Sequence, residues 1–280
     1  MNNQPLETIL ENAIKEDIGN GDHSSKSCIP EDAKGKAQLL IKQKGILAGL
    51  EIAKEVFNSI DTTLKFEQFL FDGNHINPGD RAFIISGKIQ SILQAERLVL
   101  NIMQRMSGIA TATHEYVKKI AGTKAKILDT RKTTPGFRYI EKQAVKIGGG
   151  ENHRMGLYDM IMLKDNHVDF AGGIRPAIKK ANEYLQRTNK NIKIEIEVRN
   201  IDELKEVVET AGVQRIMFDN FSPEQTKEAV QLINGRYETE SSGGITLDNI
   251  RKYAEAGVDY ISVGALTHQI KSLDMSLKAI

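Results

Sequence analysis

From residue 124 onward, short strand-like runs alternate with amphipathic stretches, and this alternation leaves the chain few folds to adopt. AKIL, MIML, IKIEIEV, RIMF, ETESS and YISV read as strands. Helical patterns near 137–147, 173–187, 201–211, 223–234 and 247–256 separate them, with a last helix expected at the end. Alternation at this spacing gives a parallel sheet wrapped by helices. Six such units predict a closed or nearly closed α/β barrel. A doubly wound open sheet is the alternative.

The first part of the chain has a different texture. Leu6, Ile9, Leu10, Ala13, Ile14 and Ile18 fall at helical spacing, ending at Gly19 in a polar loop. AQLLIKQKGILAG, LKFEQFLF and RAFIISGKI read as strands around a short helix near 49–59. A long helix comes next at about 91–120, with Gly108 as the expected break or kink. The domain boundary is therefore placed near residue 110: an N-terminal domain over 1–110, a barrel over 111–268, and residues 269–280 returning to the first domain.

Composition narrows the class of function. A net charge of +1 gives no global pull toward nucleic acid or an anionic membrane. Cys28 is the only cysteine, so no intramolecular disulfide is possible and a reducing cytoplasm is the expected setting. The N-terminal stretch is polar and amphipathic rather than a signal sequence, and no apolar run reaches the roughly 18 residues of a membrane span.

The chemistry is concentrated where the later strands end. AKIL runs into Asp129-Thr130-Arg131-Lys132, MIML into Lys164-Asp165-Asn166-His167, and RIMF into Asp219-Asn220. In a parallel barrel these ends open on one face, which carries the active site. Gly148-Gly149-Gly150 precedes Glu151-Asn152-His153-Arg154. His153 and Arg154, with Arg131, Lys132, Lys164 and Arg138, make a cationic mouth on a nearly neutral protein, suited to phosphate and carboxylates. Glu195 and Glu197 share one strand face, opposite Ile194, Ile196 and Val198. Pointing inward, each needs a cation, either a basic side chain or a metal. Glu197 with Asp219 could hold Mg²⁺ together with substrate phosphates. Ser242-Gly243-Gly244, read as preceding a helix, and Gly264 after the last strand offer backbone N–H groups to a phosphate.

These residues resemble the quinolinate phosphoribosyltransferase family. The resemblance rests on Asp129-Thr-Arg-Lys-Thr-Thr-Pro-Gly-Phe-Arg138, Glu151-Asn-His-Arg-Met-Gly-Leu-Tyr-Asp159, Leu163-Lys-Asp-Asn-His167, Glu195-Ile-Glu197, Phe218-Asp-Asn220, Glu240-Ser-Ser-Gly-Gly244 and Val263-Gly-Ala-Leu-Thr-His268. Upstream, Glu16 to Asp22, Glu96-Arg97 and Ser107 to Thr111 also match. It implies an N-terminal α/β sandwich, then an incomplete, TIM-like α/β barrel. The implied reaction joins quinolinate to 5-phosphoribosyl 1-diphosphate with loss of carbon dioxide, giving nicotinate mononucleotide for NAD biosynthesis. A homodimer with shared active sites is implied too, and further assembly into hexamers is left open.

Position by position, the resemblance implies that Arg97 is donated across the dimer interface. Arg131, His153 and Arg154 would hold the substrate carboxylates. Lys132 and Lys164 would reach quinolinate and diphosphate, and Glu197 and Asp219 would position Mg²⁺ and the ribose. Ser242, Gly243 and Gly264 would grip the 5-phosphate, with His268 nearby. Arg199 departs from the pattern, standing where an acidic residue is common. Two other readings stay open: a related transferase acting on another carboxylated ring, and a non-catalytic barrel that binds a phosphorylated metabolite.

Overall fold

In the computed structural model, which describes residues 6–280, the sequence patterns resolve into twelve strands and eleven helices. The first five residues of the N-terminal reading lie outside the described residues. The early elements are α1 (Leu6–Ile18), α2 (His23–Cys28), β1 (Lys34–Ile41), β2 (Gly45–Ile46), α3 (Leu50–Ile60), β3 (Lys65–Gln68), β4 (His75–Ile76), β5 (Arg81–Lys88) and α4 (Ile89–Lys119). Next come β6 (Lys126–Leu128), α5 (Arg138–Ile147), β7 (Ile161–Leu163), α6 (Asp165–Ala171), α7 (Ile174–Thr188), β8 (Ile194–Val198) and α8 (Ile201–Thr210). The last are β9 (Arg215–Asp219), α9 (Pro223–Ile233), β10 (Glu238–Ser242), α10 (Ile250–Glu255), β11 (Tyr260–Ser262), α11 (Ala265–His268) and β12 (Met275–Ala279).

The chain divides into two compact units. The first comprises the residues through His114 with Thr133–Gly149 and Leu266–Ile280; the second comprises Glu115–Lys132 and Gly150–Ala265. In the first unit an antiparallel sheet runs in the order β12-β1-β5-β3. Phe57 meets Phe83 edge-on at 5.9 Å between ring centroids, and Phe66 lies 4.4 Å from Phe83, forming the aromatic centre of its core. The helix expected at the C-terminus is short, Ala265–His268, and the chain ends instead in β12. Met275, Leu277 and Ala279 alternate with polar residues, and Leu277 pairs with Leu39 of β1.

Gly108 does not break α4. A Cβ there would stand 2.4 Å from the Lys271 carbonyl oxygen, so the glycine admits a close backbone approach rather than a kink. Its neighbours Ser107 and Thr111 secure β2 and the residues just beyond it: the Ala48 amide donates to Ser107 Oγ at 2.9 Å, and the Ile46 amide to Thr111 Oγ1 at 2.8 Å. The segment 133–149 is anchored by Arg105, whose Nε donates to Glu141 Oε1 at 2.8 Å and Nη2 to Thr134 Oγ1 at 2.9 Å.

The second unit carries the parallel sheet, ordered β6-β11-β10-β9-β8-β7. β6 and β7 do not pair as strands; a single bridge from Leu128 to Glu151 stands at that gap. This is an α/β barrel left incomplete on one side. Ile194, Ile196, Val198, Ile216 and Phe218 occupy the outer face and are almost wholly buried. Each such residue stabilises the fold by roughly 1.5–3 kcal/mol. Asn200 caps α8, and Ser222 with Gln225 forms a capping box on α9 behind Pro223, fixing where these covering helices begin. No helix among the described residues is long and apolar enough to cross a membrane.

Register decides what the inner face presents. Glu195 lies beside Arg215, and Arg215 beside Glu238. Glu197 lies beside Met217, which lies beside Glu240, and Asp219 lies beside Ser242. Partners in a parallel ladder point to the same face, so two successive levels of the barrel wall carry the glutamates and the next level up carries Asp219 and Ser242.

Candidate active site

Asp129, fully buried after β6, organises the ENHR segment. Its Oδ1 accepts the His153 amide at 2.9 Å and its Oδ2 accepts Asn152 Nδ2 at 2.6 Å. The two bonds turn the backbone so that His153 points inward and Arg154 lies beneath the surface after it. Arg154 is 9% exposed, and its Nη1 donates to the Met160 carbonyl at 3.2 Å. Asp159 shapes the next turn by accepting the Met155 and Gly156 amides at 2.6 and 2.9 Å.

Arg131 and Arg154 stand close enough to act on one another. Burial, and then the charge of Arg131, lower the pKa of Arg154. Two guanidinium groups held together, one of them largely dehydrated, form a site for a dianion. Lys132, exposed beside Arg131, has its amide on Thr130 Oγ1 at 3.0 Å.

Lys164, just past β7, reaches the adjacent strand. Its Nζ lies 2.7 Å from Glu197 Oε2, and its amide donates to His167 Nδ1 at 3.0 Å. Glu197 is 7% exposed, and Asp219 lies diagonally from it, one inner-face position further up β9. Across from Asp219, the Asn220 amide donates to the Ser242 carbonyl at 2.9 Å and Asn220 Nδ2 to Asp219 Oδ2 at 2.9 Å. Gly243 has φ +88°, and a Cβ on it would fall 2.3 Å from Asn220 Oδ1. Only glycine fits there, because the strand end packs against Asn220 with no room for a side chain.

The structure gives detail to three sequence-based expectations. The phosphate-binding segment precedes a helix as expected, with residues 245–249 between it and the six-residue α10. The His153 ring, expected to hold a substrate carboxylate, turns toward two acids of the barrel wall. It is buried, with Nε2 2.9 Å from Glu195 Oε2 and 3.4 Å from Glu240 Oε2, and with the Arg154 amide donating to Nδ1 at 2.6 Å. Of the two partners left open for Glu195, a basic side chain or a metal, the barrel interior supplies the first, since Arg215 acts on it. Arg97 is exposed on α4 and His268 ends α11; both belong to the first unit, as does Arg138, whose Nε donates to Thr133 Oγ1 at 3.0 Å. Gly264 lies two residues past the end of β11 in the second unit, half-buried. Arg199 is tied to surface acids, 3.1 Å from Asp169 and 2.6 Å from Glu203.

The inner cluster was only partly foreseen. Arg215 Nη1 lies 3.1 Å from Glu240 Oε2 and its Nη2 3.0 Å from Glu238 Oε2, with its guanidinium over Tyr260 at 4.0 Å. His153, Glu195 and Glu240 are the one group of three ligand-type side chains among the described residues with donor atoms within 4.8 Å. Arg215 supplies the cation that such burial demands. Burial disfavours a charged His153 ring, whereas the two carboxylates together would hold its pKa at about 9. The Arg154 amide opposes them, because a second ring proton at Nδ1 would set donor against donor. The ring therefore carries its proton on Nε2. The extra proton of the cluster falls to Glu195, whose pKa burial and then Glu240 raise to about 7.

Comparison with known proteins identifies this arrangement. The profile "Quinolinate phosphoribosyl transferase, C-terminal domain" matches residues 109–278, and its N-terminal counterpart matches 22–107. The "Quinolinate phosphoribosyltransferase [decarboxylating] 2, mitochondrial" of Nicotiana glauca is 46% identical, over 98% of this chain and 82% of that one. The "Probable nicotinate-nucleotide pyrophosphorylase [carboxylating]" of Bacillus subtilis is 43% identical, over 99% and 94%. Among solved structures, NadC from Streptococcus pyogenes superposes with a TM-score of 0.93 at 38% identity, over 98% of this chain and 97% of that one. Matched in both domain profiles and in fold across nearly its whole length, the chain belongs to the quinolinate phosphoribosyltransferase family.

Proposed function

We propose that this chain transfers the phosphoribosyl group of 5-phosphoribosyl 1-diphosphate to the ring nitrogen of quinolinate, releasing diphosphate and carbon dioxide and forming nicotinate mononucleotide for NAD biosynthesis. The observation that carries this reading is the Arg131–Arg154 pair, with Arg154 buried and its pKa lowered first by that burial and then by its neighbour. Such a pair selects a substrate with two adjacent carboxylates. A monocarboxylate leaves a guanidinium dehydrated and without its anion.

The reaction needs position and charge rather than a covalent intermediate. Arg131 and Arg154 orient the ring, Lys132 lies beside them, and Ser242, Gly243 and Gly264 offer the 5-phosphate its donors. The pyridine nitrogen gives its lone pair to ribose C1 as the C1–O bond to diphosphate breaks. Lys164 offsets the charge of the leaving group, and Glu197 and Asp219 balance the cationic sugar. The bond from C2 to its carboxylate then breaks. Its electron pair stays on C2, beside the cationic nitrogen, until C2 takes a proton.

Two carboxylates and no nitrogen or sulfur donor suit a hard cation that fills its shell from phosphate oxygens and water. Glu197 and Asp219 would thus hold Mg²⁺, which when bound neutralises charge on the diphosphate. The same reading includes a homodimer, with Arg97 of one copy completing the site of the other. Leu157, Tyr158 and Phe170, exposed by 70%, 48% and 91%, are apolar side chains that an interface would cover. The setting proposed is the cytoplasm.

Incubation with quinolinate, 5-phosphoribosyl 1-diphosphate and Mg²⁺ tests the reading through carbon dioxide and diphosphate release. Equal amounts of both are expected, with nicotinate in place of quinolinate giving neither. Diphosphate release with nicotinate alone would assign the chain to another carboxylated ring.

A further inference from the structure

We infer that Glu195 and Glu240 are positioning residues for carboxylate recognition: they hold His153 in one tautomer, and His153 in turn holds the backbone that carries Arg154. The inference rests on the proposed role of Arg154.

Glu195 and Glu240 are fully buried on the inner face of β8 and β10. Their carboxylates face Nε2 of His153 at 2.9 and 3.4 Å. The Arg154 amide donates to Nδ1 at 2.6 Å, so the ring proton of the neutral imidazole sits on Nε2, on the side of the two acids. Asp129 takes the preceding amide, that of His153. Two successive amides are thus fixed, one by Asp129 and one by the ring. Arg215 keeps Glu240 in place. In the other tautomer Nδ1–H would confront the Arg154 N–H, and the turn would have to move. A displacement of about 1 Å in a group that orients substrate costs up to roughly 10²-fold. Stability alone gives no reason for this arrangement, because apolar side chains would fill the barrel at lower desolvation cost.

Glu195→Leu removes an acceptor, Glu195→Gln keeps one, and Glu240→Met serves as the second apolar variant should Glu195→Leu not fold. Long-range ¹⁵N–¹H spectra of histidine-labelled protein report the tautomer, with the His153 signals identified by their loss in His153→Asn. Steady-state kinetics give KM for each substrate. In the apolar variant, the Nε2–H tautomer is expected to lose its dominance. KM for quinolinate should rise about 10–100-fold, the range for loss of a supporting contact behind a ligating group. KM for the ribose diphosphate should stay within threefold. Glu195→Gln is expected to retain the tautomer and both constants. An unchanged tautomer in the apolar variant, equal rises in both KM values, or a Gln variant as impaired as the apolar one would overturn the inference. Absence of turnover with quinolinate in the unaltered protein would reject the function instead, and the tautomer spectra would still decide the positioning role.

Discussion

Lys164 Nζ lies 2.7 Å from Glu197 Oε2, joining the end of β7 to the inner face of β8 at the mouth of the barrel. The lysine side chain is 46% exposed and the glutamate 7%. A pair half open to water contributes only about 0–1 kcal/mol to stability. Lys164→Ala should therefore leave the thermal midpoint within a few degrees while turnover falls about 10²–10³-fold. Calorimetry and kcat on the same preparation check this. A large fall in the midpoint would make the pair structural.

Arg131 is exposed at the end of β6, and Lys132 beside it. Arg131→Ala and Lys132→Ala should each stay folded and lose about 10²–10³-fold in kcat/KM. The loss in Arg131→Ala should fall mainly on quinolinate. Circular dichroism with initial rates tests both, and near-normal turnover in the two variants would reject the site.

How far the sequence carried this site depends on which residues are asked about. The strand ends were legible because apolar runs of four to six residues leave little choice, and period two placed Glu195 and Glu197 on one face. β12 was missed: Met275, Leu277 and Ala279 alternate correctly, but their partner β1 lies more than 230 residues away, and no local pattern names it. α6 was read as a turn, because its seven residues, beginning at Asp165, are polar and short. The direction of His153 was illegible for another reason. It is set by Asp129, 24 residues away, accepting its amide. Arg215 opens RIMF and has no local pattern to mark it; register alone places it beside Glu195 and Glu238.

Gly243 combines φ +88° with a Cβ position 2.3 Å from Asn220 Oδ1. Gly243→Ala strains the backbone by roughly 1–3 kcal/mol and pushes on Asn220, which holds Asp219 and the Ser242 carbonyl. KM for the ribose diphosphate should rise at least about tenfold, with KM for quinolinate nearly unchanged. Equal effects on the two substrates would place the phosphate grip elsewhere.

Arg215 is the only guanidinium bonded to Glu240 among the described residues, and its side chain is 8% exposed. Arg215→Met leaves Glu240 buried without that partner, which costs about 3–5 kcal/mol. Adding Glu240→Gln should restore part of the loss. Urea unfolding of the single and double variants measures the coupling, and simple additivity would show that the two groups do not act as a pair.

Glu195 gives the fold a pH dependence whose sign is unusual for a carboxylate. Burial, and then the charge of Glu240, raise its pKa from 4.5 to about 7, above its unfolded value. The folded state therefore binds a proton that the unfolded chain has released. The stability this confers is fully present below about pH 4.5 and is lost as pH rises through about 7. Glu195→Gln stays neutral throughout, so it should gain on the unaltered protein between pH 5 and 8, by an amount on the order of a few kcal/mol. Urea midpoints at half-unit steps across that range give the difference directly. Groups remote from this cluster titrate alike in both proteins and cancel in the comparison. Two curves that run parallel from pH 5 to 8 would mean that Glu195 is already ionised in the folded protein, and that His153 carries the second proton despite the amide at Nδ1.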